Sequence, residues 1–227
     1  MAATTDSVDQ LPKGIRSLLD TPYAQYLGLE TIFDIQVAEG VPVTLTHAEE
    51  VIFRTVHMSS ELWLRLAGFE IERTRAAVET GQITAATRLA NRARMSVERV
   101  MEGTAMLQMM PAPDYHAFRT ELGSASGLQS PGYAYLRREC RTLATAFDAA
   151  TGDDDALFAL YMTDRNDPRY DLAEALLDLD ATLDRFRALH LQIAERFLVP
   201  GTQGTGGSDG IPYLMRKIGL YILSRLC

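Results

Sequence analysis

Apolar positions recur at three- and four-residue intervals from one end of the chain to the other, while long alternating β-branched runs and Asn-Gly turns are missing. The pattern predicts an all-α protein. A first helix is expected over 22–37, with Thr21 as its N-cap and Pro22 in its first turn. A second is expected over 47–79, stopping at Gly81, and a third over 82–109, with Ala85, Leu89, Ala93, Val97 and Val100 on one face and Pro111 and Pro113 beyond its end. A short helix over 113–121 precedes the loop "GSASGLQSPG", which holds too much Gly and Ser for a helix interior. Helical spacing resumes over 133–149. The segments "TGDDD" and "TDRNDPRYD" punctuate the next stretch, and a long helix follows over 171–198, closed by Pro200 and Gly201. A glycine-rich loop, "GTQGTGGSDG", leads into "IPYLMRKIGLYILSRLC", read as a packed terminal helix. Arg216, Lys217 and Arg225 interrupt that run, and it is too short to span a bilayer.

The 227 residues suit one domain, 1–227, with a flexible start over 1–20 and room for a ligand pocket. Lys and Arg number 22 against 30 Asp and Glu, a net charge of −8 with no basic stripe, which argues against nucleic acid and anionic membranes as partners. "MAATTDSVDQ" has neither a cationic nor an apolar leader pattern, so a cytoplasmic location is expected. Cys140 and Cys227 are the only cysteines, with no metal-ligand or haem-attachment spacing.

Of four histidines, only His57 and His190 fall inside long predicted helices. Phe53, His57 and Glu61 share one stripe at i and i+4 spacing, and Leu183, Phe186, His190, Ile193 and Phe197 share another. Two inward imidazoles are either hydrogen-bonded core residues or the two flanks of a metal or haem plane. A carboxylate-bridged di-iron centre needs Glu-x-x-His pairs, and no histidine here has a glutamate three residues before it. His47 and His116 lie near helix starts, where surface or capping roles are simplest. Tyr115 and Arg119 stand four apart beside the Gly/Ser loop, an arrangement that can receive a carboxylate or be ordinary surface. The loop "GTGGSDG" follows no strand and precedes no Gly-Lys-Ser/Thr, so both nucleotide fingerprints fail.

Taken in order, several stretches resemble the tryptophan 2,3-dioxygenase family of haem-dependent aromatic oxygenases. "TPYAQYLGLETI" is similar to its N-terminal Tyr-x-x-Tyr-Leu-x-Leu segment, "FRTVHMSSELWLR" to its Phe-x-x-x-His-x-x-x-Glu-Leu-Trp helix, and "FRTELGSASGLQS" to its Phe-Arg-x-x-Leu-x-x-x-Ser-Gly-x-Gln-Ser stretch. "DLDATLDRFRALH" resembles the helix of the proximal ligand, and "GTGGSDG" the family's Gly-Thr-Gly-Gly-Ser loop. The resemblance implies a helical bundle around haem b, with His190 as the iron ligand and O₂ as co-substrate. It further implies His57 as the distal histidine meeting an indole N–H, Phe53 packed on the aromatic ring, and Arg119 with Tyr115 holding the substrate carboxylate. Thr205 would approach the ammonium group, Ser126 would lie over the haem beside the oxygen site, and Gly127 would border the cofactor. Tyr23 and Tyr26 match tyrosines that complete a neighbouring subunit's pocket, which implies a homotetramer.

Departures narrow the expectation. "GTAMLQMMPAPDY" replaces the family's Trp-Ser-x-Leu-Glu-Thr segment, methionines that suit an enlarged pocket or fill core gaps. Phe186 stands for Trp, Asp209 for a second Ser, and the section between "GLQS" and "DLDATLDRFRALH" is shorter. These changes favour a biosynthetic relative acting on tryptophan or a substituted, for example methylated, tryptophan. Two oxygen atoms would give the N-formylkynurenine, and one a 2-oxindole or hydroxylated product. An ordinary catabolic dioxygenase, a haem-dependent tyrosine hydroxylase and a haem- or ligand-binding helical protein without turnover are the alternatives.

Overall fold

In the computed structural model, residues 17–33, 37–38, 41–42, 45, 47–163, 165–198 and 201–219 are described. The expected all-α architecture holds. Four long helices, α3 (Glu49–Glu79), α4 (Ile83–Ala105), α6 (Pro131–Thr151) and α8 (Pro168–Phe197), form the body. α3 packs along α4 and α6, and α4 packs along α8. Ala86, Ala90 and Ala93 of α4 are fully buried, and their small side chains let the neighbouring helices lie close.

Thr21 caps α1 (Pro22–Leu27) as expected, whereas the helix expected over 171–198 begins earlier, at Pro168, inside the segment read as punctuation. Glu49 and Glu50 place negative charge at the positive end of α3. The Asp167 carboxylate accepts from the Arg169 N–H at 2.9 Å, with Pro168 as the first residue of α8. Shorter elements depart from expectation. The single helix expected over 22–37 is two, α1 (Pro22–Leu27) and α2 (Leu29–Phe33), because Gly28 adopts a left-handed φ of 66° and turns its N–H back to Ala24 and Gln25. Beyond them a minimal antiparallel ladder pairs β1 (Val37–Ala38) with β2 (Val41–Pro42). The third expected helix ends at Ala105 and tightens into a 3₁₀ turn, Met106–Met109. The short expected helix is α5 (Ala112–Phe118), continued by a 3₁₀ turn, Arg119–Leu122.

A helix that the sequence pattern did not predict, α7 (Asp154–Thr163), follows the acidic turn. Asp153 caps it by accepting from the Ala156 N–H at 2.9 Å, so the residues read as punctuation are a helix start. Of the terminal helix expected over 211–227, the described part is α9 (Ile211–Met215) and the turn to Gly219; 220–227 lie outside the described residues. Of the start expected to be flexible over 1–20, residues 1–16 lie outside them too, and Ser17–Asp20 form a 3₁₀ turn.

Buried apolar side chains fall into two clusters. The larger draws on α3 from Leu64 onward, α4, α6, α7 and the first half of α8 up to Leu183. The smaller joins Val56, Leu107, Met110, Phe118, Ile193 and Phe197. His57 follows Val56 and precedes Leu64, and His190 lies between Leu183 and Ile193. Both histidines therefore stand at the seam of the two clusters.

Candidate active site

At the start of α3, Phe53 and His57 lie one turn apart, with ring centroids at 4.1 Å. His57 Nδ1 is 2.6 Å from the Phe53 carbonyl oxygen. A carbonyl only accepts, so Nδ1 carries the proton and Nε2 of the neutral ring keeps its lone pair. Protein atoms crowd one part of the ring while solvent still reaches the residue. Desolvation lowers its pKa below the ordinary histidine value, against the opposing pull of the Phe53 carbonyl and the Glu61 charge.

The second imidazole, His190, is carried by α8. Burial lowers its pKa, and the charge of a protonated His57 lowers it further, so the two rings sense each other. Phe186, a turn earlier, stacks on it with centroids 6.3 Å apart. Among the described residues no hydrogen bond reaches His190, and a neutral imidazole with an uncommitted nitrogen is the donor that an axial iron ligand requires. The residues fit the expected haem in that respect. No group of three or more His, Cys, Asp or Glu that could hold a metal ion occurs among the described residues.

The next group of residues comes from α5 and the turn after it. Tyr115 stacks on Phe197 at 4.7 Å and lies 6.1 Å from Phe53, while fully buried Phe118 sits edge-on to Phe53 at 5.5 Å. Arg119 follows directly. Its Nη2 donates to the Gln203 carbonyl oxygen at 3.0 Å, whereas its Nε is buried with no hydrogen-bond partner. Half of the guanidinium fork is thus committed to backbone, and half is an unsatisfied donor of the kind a carboxylate would meet.

The glycine-rich loop docks on this part of the chain. Thr205 Oγ1 donates to the Ala125 carbonyl, and Gly206 lies so close to Ser126 that a Cβ there would stand 2.7 Å from the serine Cβ. Ser126 caps the 3₁₀ turn Gly127–Gln129: its Oγ accepts from the Leu128 N–H and its own N–H donates to Gln129 Oε1. Gly127 has no atom within 4 Å of where a side chain would begin. Arg119, Ser126 and Thr205 are therefore gathered by backbone contacts of the loop. Phe53, His57 and Tyr115 belong to the aromatic cluster around Phe118, the residue before Arg119.

Among the described residues of one chain, no hydrogen bond or ring contact joins Tyr23 or Tyr26 to this group. They lie on α1, 70% and 89% exposed. The methionines before α5 divide: Met110 fills the smaller core, and Met106 and Met109 face solvent. Asp209 forms a two-pronged pair with Arg216, at 2.9 and 3.0 Å, which lowers its pKa. An open groove of about 910 Å³ lies elsewhere, between α3 and α6, and its charged walls are paired within themselves, Arg75 with Glu79 and Arg138 with Glu139. Sequence reasoning missed Gln203, whose contribution is a carbonyl common to every residue. It also left Glu61 without a role: its carboxylate accepts from the Gly132 N–H at 2.8 Å.

Fold and site together define an all-α protein with two interacting imidazoles of lowered pKa, an aromatic cluster beside one of them, and an arginine that keeps an unsatisfied donor. Residues 7–141 match the family model described as tryptophan 2,3-dioxygenase, and the chain belongs to that family. The tryptophan 2,3-dioxygenase of Pseudomonas fluorescens is 25% identical over 256 residues, spanning 90% of this chain and 88% of its own. That of Erythrobacter litoralis is 28% identical over 247 residues, spanning 86% and 92%, and that of Burkholderia lata 26% over 256 residues, spanning 90% and 81%.

Proposed function

We propose that the protein is a haem-dependent oxygenase acting on the indole ring of L-tryptophan or a ring- or side-chain-substituted tryptophan. The observation that carries this reading is an uncommitted His190 within electrostatic reach of His57, together with the unsatisfied Nε of Arg119 directly after Phe118, whose ring packs on Phe53. His190 would hold the haem iron, with Ser126 and the bare backbone of Gly127 bordering the group. A ferrous haem with one imidazole ligand supplies an open coordination position and the electrons that activate O₂.

The chain's own groups do the rest. Arg119 binds the substrate carboxylate through Nε, with Tyr115 beside it, and Thr205 approaches the ammonium group. Phe53 packs on the indole, and His57 Nε2 accepts the indole N–H, fixing which ring edge faces the oxygen site. Apolar Phe53, Phe118 and Phe197 keep water from the reacting centre. Tyr23 and Tyr26, exposed in a single chain, would close the pocket of a neighbouring subunit in a homotetramer. Phe186, stacked on His190, is the departure that favours a biosynthetic relative over a catabolic enzyme.

Mass spectrometry of the product from haem-loaded ferrous protein, O₂ and a panel of tryptophans and tyrosines tests this. Gain of two oxygen atoms marks dioxygenation, and gain of one marks monooxygenation with an added reductant. Turnover of tyrosines alone, or no product from any aromatic amino acid, overturns the proposal. His190→Ala is expected to abolish haem binding, read as loss of the Soret band, and His57→Ala to retain haem while slowing or redirecting oxidation.

A further inference from the structure

Resting on the reading that His190 ligates the iron, the nearness of a second imidazole, His57, poses a problem, because an oxygenase must keep a coordination position open. We infer that Glu61 is the positioning residue that holds His57 off the metal, by clamping the N-terminus of α6 to α3 one turn beyond His57. The clamp then reaches the His190 helix through Tyr133.

The hydrogen bonds at the start of α6 show how the clamp is built. Pro131 has no N–H to satisfy. The Gly132 N–H donates to Glu61 Oε2 at 2.8 Å, the Tyr133 N–H to Ser130 Oγ at 3.0 Å, and the Ala134 N–H to the Ser130 carbonyl at 3.1 Å. Glu61 is the one partner in this set that comes from another helix, and a carboxylate at a helix N-terminus is also favoured by the helix dipole. The fit leaves no slack. A Cβ at Gly132 would lie 2.7 Å from Glu61 Oε2, 2.9 Å from Leu64 Cβ and 3.1 Å from the Glu61 carbonyl.

From Gly132 the connection continues without a gap. The next residue, Tyr133, accepts at its hydroxyl from Arg187 Nε at 3.2 Å, and its ring lies 6.1 Å from Phe186. Phe186 and Arg187 precede His190 on α8, and Phe186 stacks on the imidazole with planes 21° apart. His57 is engaged within its own helix by the Phe53 carbonyl and ring. Its distance from His190 follows from how α3 and α8 are held: both pack along α4, and at the level of the histidines Glu61 and Tyr133 tie them to α6 as well.

Electron paramagnetic resonance and absorption spectra of the ferric, haem-loaded protein test the clamp. Glu61→Ala is expected to raise the low-spin, two-imidazole fraction several-fold over wild type, as His57 closes on the iron. Glu61→Gln keeps an acceptor oxygen for the Gly132 N–H and is expected to look like wild type. Adding His57→Ala to Glu61→Ala is expected to remove the low-spin component. Tyr133→Phe deletes only the hydroxyl tie to Arg187 and is expected to shift the spectrum in the same direction, which keeps the test open if Glu61→Ala does not fold. A lowered melting temperature with an unchanged spin state in Glu61→Ala and Tyr133→Phe overturns the inference, as does a low-spin signal that survives loss of His57. Wild-type protein that takes up no haem through His190 overturns the functional reading itself, a result distinct from either.

Discussion

His57 and Arg119 each show a side chain whose environment selects its chemistry. The Phe53 carbonyl fixes the protonated nitrogen of His57, and burial disfavours a second proton. Unfolding returns the ring to the ordinary value of about 6.5, so the unfolded chain binds more protons than the folded one just below that pH. Stability of the haem-free protein is therefore complete above about pH 6.5 and falls as the pH drops below it. Denaturant midpoints measured from pH 8 to 5 check this, and His57→Phe should flatten the slope. At Arg119, Lys keeps the charge but loses the planar fork. Hydrogen bonds to charged groups contribute about 1.5–3 kcal/mol, so Arg119→Lys is expected to weaken amino-acid binding roughly 10- to 150-fold. Titration should show little change for an indole amine lacking the carboxylate.

Among the elements, the junction of α3 and α6 is the least tolerant of change. Gly132→Ala must displace Glu61 or Leu64, and overpacking of this kind costs about 1–3 kcal/mol. A matching fall in melting temperature is expected, whereas Gly127→Ala, with open space around it, should leave the melting temperature unchanged. These junctions mark where sequence reading ends. The faces of α3 and α8 were legible because side-chain periodicity records them: Phe53, His57, Leu183, His190 and Ile193 fall at helical spacing. The pairing of Glu61 with Gly132, 71 residues apart, leaves no periodic trace, and neither does the Gln203 carbonyl on Arg119. Helix α7 escaped because aspartates serve equally in turns and as N-caps. Gly28 was passed over because one glycine inside an apolar helical pattern does not reveal its φ.

For the whole molecule, exposed aromatic surface on α1 is the feature a single chain leaves unexplained. Tyr23→Ala with Tyr26→Ala is expected to leave the Soret band intact while raising KM for the amino acid or reducing the assembled mass, as light scattering with steady-state kinetics would show. Among the described residues no helix is long and apolar enough to cross a membrane, so these tyrosines do not belong to a helical span. The division of the apolar interior into two clusters, with both histidines at its seam, bears on cooperativity. Without a group bridging the seam, each cluster can lose its order separately, and the haem-free protein is expected to melt in two calorimetric steps. A ligand gripped from both sides couples them, because it binds only when both are intact. The cofactor would then act as the keystone that merges two melting units into one.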